Sequence, residues 1–216
     1  MTARAEETDG SSPDQGRRLR DAKRTLRRRL LDARAARTPD DRAAATAALA
    51  RHAVALASGC TGPVACYLPI GGEPGAAGSA TTTLPDALRD AGHEVLAPVV
   101  PDEPGPLDWT RYTGPADLVA GPLGVREPGG PRLGPGTLSG AGLVLVPALA
   151  VDRRGRRLGR GGGFYDRTLG LVAPGAAVVV VLHDGELIDE VPAEAHDLPV
   201  PAVLLPTSGV VEVSVR

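Results

Sequence analysis

The sequence predicts an α/β protein: a single three-layer domain in which a mostly parallel sheet is flanked by helices. Two observations support this prediction. After Gly59, short apolar runs alternate with segments of helical periodicity, an order typical of a parallel sheet covered on both faces. A chain of 216 residues is also long enough for one sizeable hydrophobic core. We expect residues 16–216 to form this domain and the polar residues 1–15 to be a disordered tail.

Three longer helices are predicted, each marked by a pattern along one face or at one end. Apolar residues three and four positions apart give the first helix, which is strongly basic, one apolar face. Thr38 is an N-cap residue, and Pro39 suits the first position of the second helix. Gly59 and Gly92 end the second and third helices. The predicted ranges are residues 17–37, 38–58 and 83–91.

The apolar runs between these helices are predicted to be strands. They lie at residues 63–68, 93–100, 107–112, 143–151, 176–182, 203–205 and 210–215, of which the last two look like a final pair. Ligands of such sheets bind outside the carboxyl ends of the strands. The segments after Leu68, Val100, Ala150 and Leu182 are therefore the candidate ligand loops.

One glycine-rich segment, residues 157–167, is the strongest candidate site. It follows the apolar run 143–151 and precedes a helix start, and such a turn presents backbone N–H groups to a phosphate. Three arginines add positive charge, and Asp166 adds a carboxylate that could hold a metal. The segment matches neither a Walker A loop nor a dinucleotide fingerprint, in which Phe164 would have to be glycine. The alternative is a flexible glycine-rich turn with solvated arginines.

Glu73, Lys23 and Arg27 are further candidates. Glu73 follows a predicted strand between Gly and Pro, and its carboxylate could accept from two N–H groups of a heterocycle; the alternative is a solvated turn acid. Lys23, the only lysine, and Arg27 share a helix face and could reach nucleotide phosphates. A solvated basic face and a nucleic-acid-binding face are the alternatives.

Asp197 could supply a second metal carboxylate beside Asp166. Magnesium favours one or two carboxylates together with substrate phosphates. The alternative is an ordinary acid in a surface loop. Taken without any comparison, the residues predict a phosphate-handling α/β enzyme that uses a nucleotide and Mg²⁺.

Composition excludes several other classes of protein. A net charge of −2 and only five aromatic residues argue against a nucleic-acid binder. Cys60 and Cys66 lack metal-ligand spacing and are expected to be reduced thiols. Neither a secretory signal nor an apolar run that could span a bilayer is present. We therefore expect a cytoplasmic protein that binds no membrane and no nucleic acid, as a monomer, with a homodimer as the alternative.

Several motifs in order resemble those of the 5-formyltetrahydrofolate cyclo-ligase (5,10-methenyltetrahydrofolate synthetase) family. The resemblance covers nearly the whole chain after the polar N-terminus. Its motifs are Lys23 with Arg27, residues 67–74 (YLPIGGEP), Asp108-Trp109, residues 124–128 (GVREP), residues 145–152 (LVPALAVD), residues 155–167 (GRRLGRGGGFYDR) and His196-Asp197. The resemblance implies a NagB/RpiA/CoA transferase-like fold. It also implies that 5-formyltetrahydrofolate is closed to 5,10-methenyltetrahydrofolate with ATP and Mg²⁺, giving ADP and phosphate.

Roles for single residues are also implied by this resemblance. Arg160 and Tyr165 would be catalytic, and Asp166 and Asp197 would hold Mg²⁺. ATP would contact Lys23, Arg27, Arg157, Leu158, Gly159, Arg160, Gly161, Gly162, Gly163, Phe164 and Tyr165. The folate would contact Leu68, Glu73, Trp109, Arg160, Gly161, Gly162, Gly163 and Phe164.

The chain departs from the family pattern in the glycine run. Many members have lysine where this chain has Gly162, and tyrosine is frequent where Phe164 stands. The missing lysine removes a positive charge beside the transferred phosphoryl group. The alternative function is therefore a folate- or nucleotide-binding protein of the same fold with reduced or altered turnover.

Overall fold

The computed structural model describes residues 13–79, 81–193 and 198–214. The helices in this part are α1 (Pro13–Ala35), α2 (Pro39–Ser58), α3 (Leu84–Asp90) and α4 (Phe164–Thr168). The strands are β1 (Val64–Cys66), β2 (Val95–Val99), β3 (Asp108–Arg111), β4 (Leu118–Ala120), β5 (Arg126–Pro128), β6 (Leu143–Pro147), β7 (Ala150–Asp152), β8 (Arg157–Leu158), β9 (Ala177–Val181), β10 (Leu187–Ile188), β11 (Ala202–Leu205) and β12 (Gly209–Glu212). Short 3₁₀ turns lie at Pro115–Asp117, Pro122–Gly124, Pro135–Gly140 and Leu169–Leu171.

The central sheet has seven strands in the order β12, β11, β9, β6, β1, β2, β3. Its five inner strands are parallel, and β3 and β12 pair antiparallel at the two edges. The mostly parallel sheet and the final strand pair are therefore confirmed. A small sheet of β10, β7 and β8 and a hairpin of β4 and β5 stand beside it.

Local signals place α2 and α3 as the sequence predicts. The Thr38 hydroxyl accepts from the Asp41 N–H at 3.1 Å, and Pro39 is the first residue of α2. Thr83 and Asp86 form a capping box at the start of α3. Each cap satisfies a backbone N–H that has no partner within its helix.

Apolar side chains cover both faces of the central sheet, as expected for three layers. On one face, α2 and α3 pack against the strands through Leu49, Leu84 and Leu88, all fully buried. On the other face the cover is mostly short turns together with α4, and it includes Leu138 and Leu169. The helix α1 lies against the small sheet, where Leu30 contacts a cluster containing Leu149, Ala150, Leu158 and Val191.

Two sequence-based boundaries were wrong. The first helix begins at Pro13 rather than Arg17, so residues 13–15 are helical; the remainder of the predicted tail lies outside the described residues. The run 143–151 is also not one strand. It ends at Pro147, which has no N–H for the sheet ladder, and the chain resumes in β7 of the small sheet. The segment that follows this strand of the central sheet therefore begins after Pro147 and not after Ala150.

Within the part of the chain that the structure describes, no helix has both the length and the apolar character needed to cross a membrane.

Candidate functional site

A cleft of about 380 Å³ opens at the carboxyl ends of three neighbouring strands, β1, β2 and β6. Its walls combine the segment after β1, the segment after β2, the strand β5 and the glycine-rich loop. The lining residues are Tyr67, Leu68, Ile70, Glu73, Pro98, Val100, Leu107, Val125, Arg126, Glu127, Pro147, Ala148, Arg157, Arg160, Gly161, Gly162, Gly163, Phe164, Tyr165 and Asp166. This is the edge of the sheet at which ligands of open α/β folds bind.

The glycine-rich loop, residues 159–163, joins β8 to α4. It therefore connects a strand to a helix as predicted, although the strand is β8 rather than the run 143–151. Gly161 and Gly163 have φ angles of 106° and 67°, which side chains rarely adopt. Because α4 is only five residues long, its dipole adds little, and the loop amides and nearby arginines are the groups available to a phosphate.

The basic helix α1 reaches this loop. The Arg27 Nε–H donates to the Gly159 carbonyl at 2.9 Å, a contact between residues 132 positions apart in the chain. Lys23 lies one turn earlier on the same helix. The structure thus brings Arg27 and the loop together, as the resemblance implies for an ATP phosphate site.

Glu73 and the loop are joined by an ion pair. Arg160 Nε lies 2.9 Å from Glu73 Oε1, while the Ile70 N–H donates to Glu73 Oε2 at 2.9 Å. The Glu73 side chain is 6% exposed and that of Arg160 is 49% exposed. Burial raises the pKa of the Glu73 carboxyl, and Arg160 and the Ile70 N–H oppose this rise. Glu73 is therefore a buried acid aimed at the loop and not a solvated turn acid.

Arg157 and Asp166 form a second ion pair on the cleft wall. The Arg157 side chain is almost fully buried, whereas Asp166 is 41% exposed. Asp166 can therefore offer a carboxylate to the cleft. The described residues contain no group of three or more potential metal ligands, so a metal here would take Asp166 together with ligands from a bound phosphate.

Tyr165 lines the cleft, and its hydroxyl is buried without a hydrogen-bond partner in the described part of the chain. Burial raises the pKa of this hydroxyl. The group therefore stays protonated and can act as a hydrogen-bond donor.

The structure places three other predicted site residues differently with respect to the cleft. Leu68 lines the cleft. Trp109 does not: it is 1% exposed and packs in the core beneath the sheet, because its position on β3 turns it to the apolar face. Trp109 thus lies apart from the other predicted site residues, and its contact with the folate stays a prediction. Asp197, like His196, lies outside the described residues.

A buried polar cluster behind the cleft was missed by sequence reasoning. Arg34 on α1 donates to both oxygens of Glu186, at 2.7 and 2.8 Å, and both side chains are nearly inaccessible. Glu186 Oε2 also accepts from the His183 N–H, and His183 Nε2 donates to the Gly72 carbonyl at 3.1 Å. The cluster thus supports the residue before Glu73. Its signal in the sequence was Arg34, four residues after Leu30 on the buried side of α1.

His183 should make folding sensitive to mild acid. Burial lowers its pKa below the usual 6.5. As the pH falls below that value, the unfolded chain takes up the proton more readily than the folded protein, so the free energy of unfolding decreases. We expect this decrease to be smaller in His183→Gln, as measured by urea unfolding at about pH 7.5 and about pH 5. An equal decrease in the wild type and in His183→Gln would contradict the prediction.

Position 162 has room for the lysine that the resemblance leads us to expect there. A Cβ there would lie 3.0 Å from two ring atoms of Phe164, so the ring has to move by a few tenths of an ångström. We expect Gly162→Lys to fold normally and to keep or raise turnover, since it adds a cation beside the phosphate loop.

The matched control is Gly163→Lys, where φ is 67° and a Cβ would lie 2.8 Å from Arg167 Nη1. This variant should lose activity and stability. Thermal unfolding and the activity of both variants provide the check. A Gly162→Lys protein that fails to fold would show that the loop requires glycine at this position.

Comparisons with known proteins identify the family of this chain. A model of the 5-formyltetrahydrofolate cyclo-ligase family matches residues 20–206. The chain is 48% identical over 152 residues to the 5-formyltetrahydrofolate cyclo-ligase of Mycolicibacterium smegmatis, covering 68% of this chain and 75% of that protein. It is 36% identical over 146 residues to the enzyme of the same name from Escherichia coli (strain K12), covering 67% and 78%.

A solved structure shares the fold. The 5,10-methenyltetrahydrofolate synthetase of Aquifex aeolicus superposes with a TM-score of 0.70 at 27% identity, over 90% of this chain and 93% of that one. The predicted single α/β domain and the predicted family are both confirmed. The chain belongs to the 5-formyltetrahydrofolate cyclo-ligase family.

Proposed function

We propose that this chain closes 5-formyltetrahydrofolate to 5,10-methenyltetrahydrofolate in the cleft described above, with ATP as co-substrate and Mg²⁺ as cofactor. The ion pair between Arg160 and Glu73 is the observation that carries the proposal. It joins the loop suited to phosphate to the buried acid suited to a pterin edge, so that the two substrates would meet at one place.

The reaction requires the formyl group of the folate to lie next to the γ-phosphate of ATP. The formyl oxygen attacks the γ-phosphorus of ATP and ADP leaves, which converts a poor leaving group into a phosphate ester. N10 then attacks the formyl carbon, phosphate departs and N10 loses its proton. Phosphoryl transfer of this kind depends mainly on positioning and on neutralising charge.

The chain's own residues supply both requirements. Arg27, Arg157 and Arg160 concentrate positive charge around the glycine-rich loop. Glycine at positions 161 and 163 lets the loop backbone come close to a phosphate. Glu73, fixed by the Ile70 N–H, would accept from the pterin ring. Tyr165 also lines this cleft, and we propose it as a further residue of the catalytic site.

Asp166 is the described residue that would hold Mg²⁺, and Asp197 is proposed as a second ligand. An exposed carboxylate in the first turn of α4, next to the loop, fits the preference of this ion for one or two protein oxygens beside substrate phosphates. Once bound, the ion would neutralise charge on the phosphates of ATP.

The direct experiment follows the absorbance of methenyltetrahydrofolate after 5-formyltetrahydrofolate is mixed with the protein. We expect product only with ATP and Mg²⁺, and ADP in equal amount. A folded protein that binds both substrates by calorimetry but forms no product would instead support the alternative, a binding protein with reduced turnover. The observation behind that alternative is Gly162, which stands where the resemblance leads us to expect a lysine.

A further inference from the structure

Glu127 is a buried acid on the wall of the cleft with no cation beside it. It lies on β5 and is 7% exposed. Its Oε1 accepts from the Val100 N–H at 2.7 Å. Among the residues that the structure describes (13–79, 81–193 and 198–214), no arginine, lysine or histidine lies within ion-pair distance of the Glu127 carboxylate. A buried carboxylate without a cation destabilises a protein unless another group satisfies it. A function would explain its presence.

The local backbone is shaped around this carboxylate. A Cβ at Gly121 would lie 2.7 Å from Glu127 Cδ and 2.8 Å from Oε2. The φ angle of Gly121 is −105°, which any residue adopts, so the backbone conformation does not require glycine there. The glycine leaves room for the acid. Three segments therefore hold Glu127: its own strand, Val100 after β2, and Gly121 after β4.

The surroundings indicate which atoms of a ligand this acid would meet. Val100 and Glu127 line the same cleft as Glu73, and the lining of this cleft includes the apolar residues Leu68, Ile70 and Leu107. A reduced folate carries several N–H donors, of which one carboxylate can accept two adjacent ones. Any further donor buried in such a wall needs its own acceptor, since an unpaired polar group weakens binding.

We propose that Glu127 is a second folate-binding carboxylate, which accepts a hydrogen bond from an N–H group of the reduced folate that Glu73 does not reach. The inference rests on the proposed function. Oε1 is held by Val100, and Oε2, which lies against Gly121, is the oxygen left to accept from the ligand. Glu127 thereby adds selectivity for reduced folates that present a donor at this point of the ring system.

Glu127→Gln tests the proposal with little change of shape. The amide oxygen can still accept from Val100, but an NH₂ group replaces the oxygen that faces the ligand. We expect KM and the calorimetric Kd for 5-formyltetrahydrofolate to rise about tenfold or more. The charged acceptor is lost, and the glutamine NH₂ group would face the N–H donor of the folate. KM for ATP should stay within about twofold. The exposed Glu103→Gln should match the wild type in both constants.

A second variant keeps the charge and moves it. Gly121→Ala places a methyl group against the carboxylate and should raise the folate KM in the same direction. Thermal unfolding confirms that each variant is folded. Unchanged folate affinity in a folded Glu127→Gln or Gly121→Ala protein would assign Glu127 to holding Val100 alone and overturn the inference. Failure of the wild type to bind folate would instead overturn the proposed function, so the two failures are distinct.

Discussion

Replacing Asp166 by asparagine is expected to lower kcat/KM for ATP by about a hundredfold or more while the protein remains folded. The carboxylate faces the cleft and is the described group best placed to hold Mg²⁺ beside the phosphates. An amide is a much weaker ligand for this ion. The measurement is turnover as a function of Mg²⁺ concentration. Asp189→Asn, at an exposed acid outside the cleft, is the matched control and should retain full activity.

The same variant separates two roles of Asp166, because this residue also pairs with Arg157. A metal role predicts that half-maximal activity requires more Mg²⁺. A role limited to holding Arg157 predicts an unchanged Mg²⁺ requirement, and the loss should then be reproduced by Arg157→Met. Activity within about threefold of the wild type at every Mg²⁺ concentration would remove Asp166 from the site.

Arg34→Met is expected to lower the free energy of unfolding by about 3–5 kcal/mol. It leaves Glu186 buried without its cation, since both side chains of the pair are nearly inaccessible. The same change should raise KM for the folate, because the cluster of Arg34, Glu186 and His183 supports Gly72 next to Glu73. Urea unfolding and steady-state kinetics measure the two effects.

A double variant checks the physical cause of this loss. Arg34→Met with Glu186→Gln removes the uncompensated charge and should recover a large part of the stability. Arg29→Met, at an exposed position of the same helix, should change the free energy of unfolding by less than about 0.5 kcal/mol. A double variant no more stable than Arg34→Met would show that lost packing, rather than buried charge, causes the destabilisation.

Much of the fold follows from short-range patterns. Thr38 and Thr83 cap their helices because their hydroxyls reach backbone N–H groups only three residues away. The strands of the central sheet could be predicted from apolar runs because both faces of the sheet are covered. A strand that is buried on both faces is apolar along its whole length. The glycine-rich loop between a strand and a helix was found for the same reason, because its glycines are adjacent in sequence.

Contacts between distant residues were decided only by tertiary structure. Arg34 and Glu186 are 152 positions apart. No pattern in the sequence around either residue predicts that the two side chains pair. The run 143–151 was predicted as one strand, yet Pro147 ends it and Val151 pairs with the small sheet. Trp109 lies in a motif shared with the family, but the register of β3 turns it into the core.

By itself, the sequence determined the α/β class, because that depends on composition, period and local pattern, and the resemblance of its motifs in order determined the family. Tertiary structure decided that Arg160 meets Glu73, that Asp166 meets Arg157 and that Glu127 lies without a cation in the same cleft. The physical reason is that the strand order brings the ends of β1, β2 and β6 together. That order is set by long-range packing of the sheet, which local patterns do not encode.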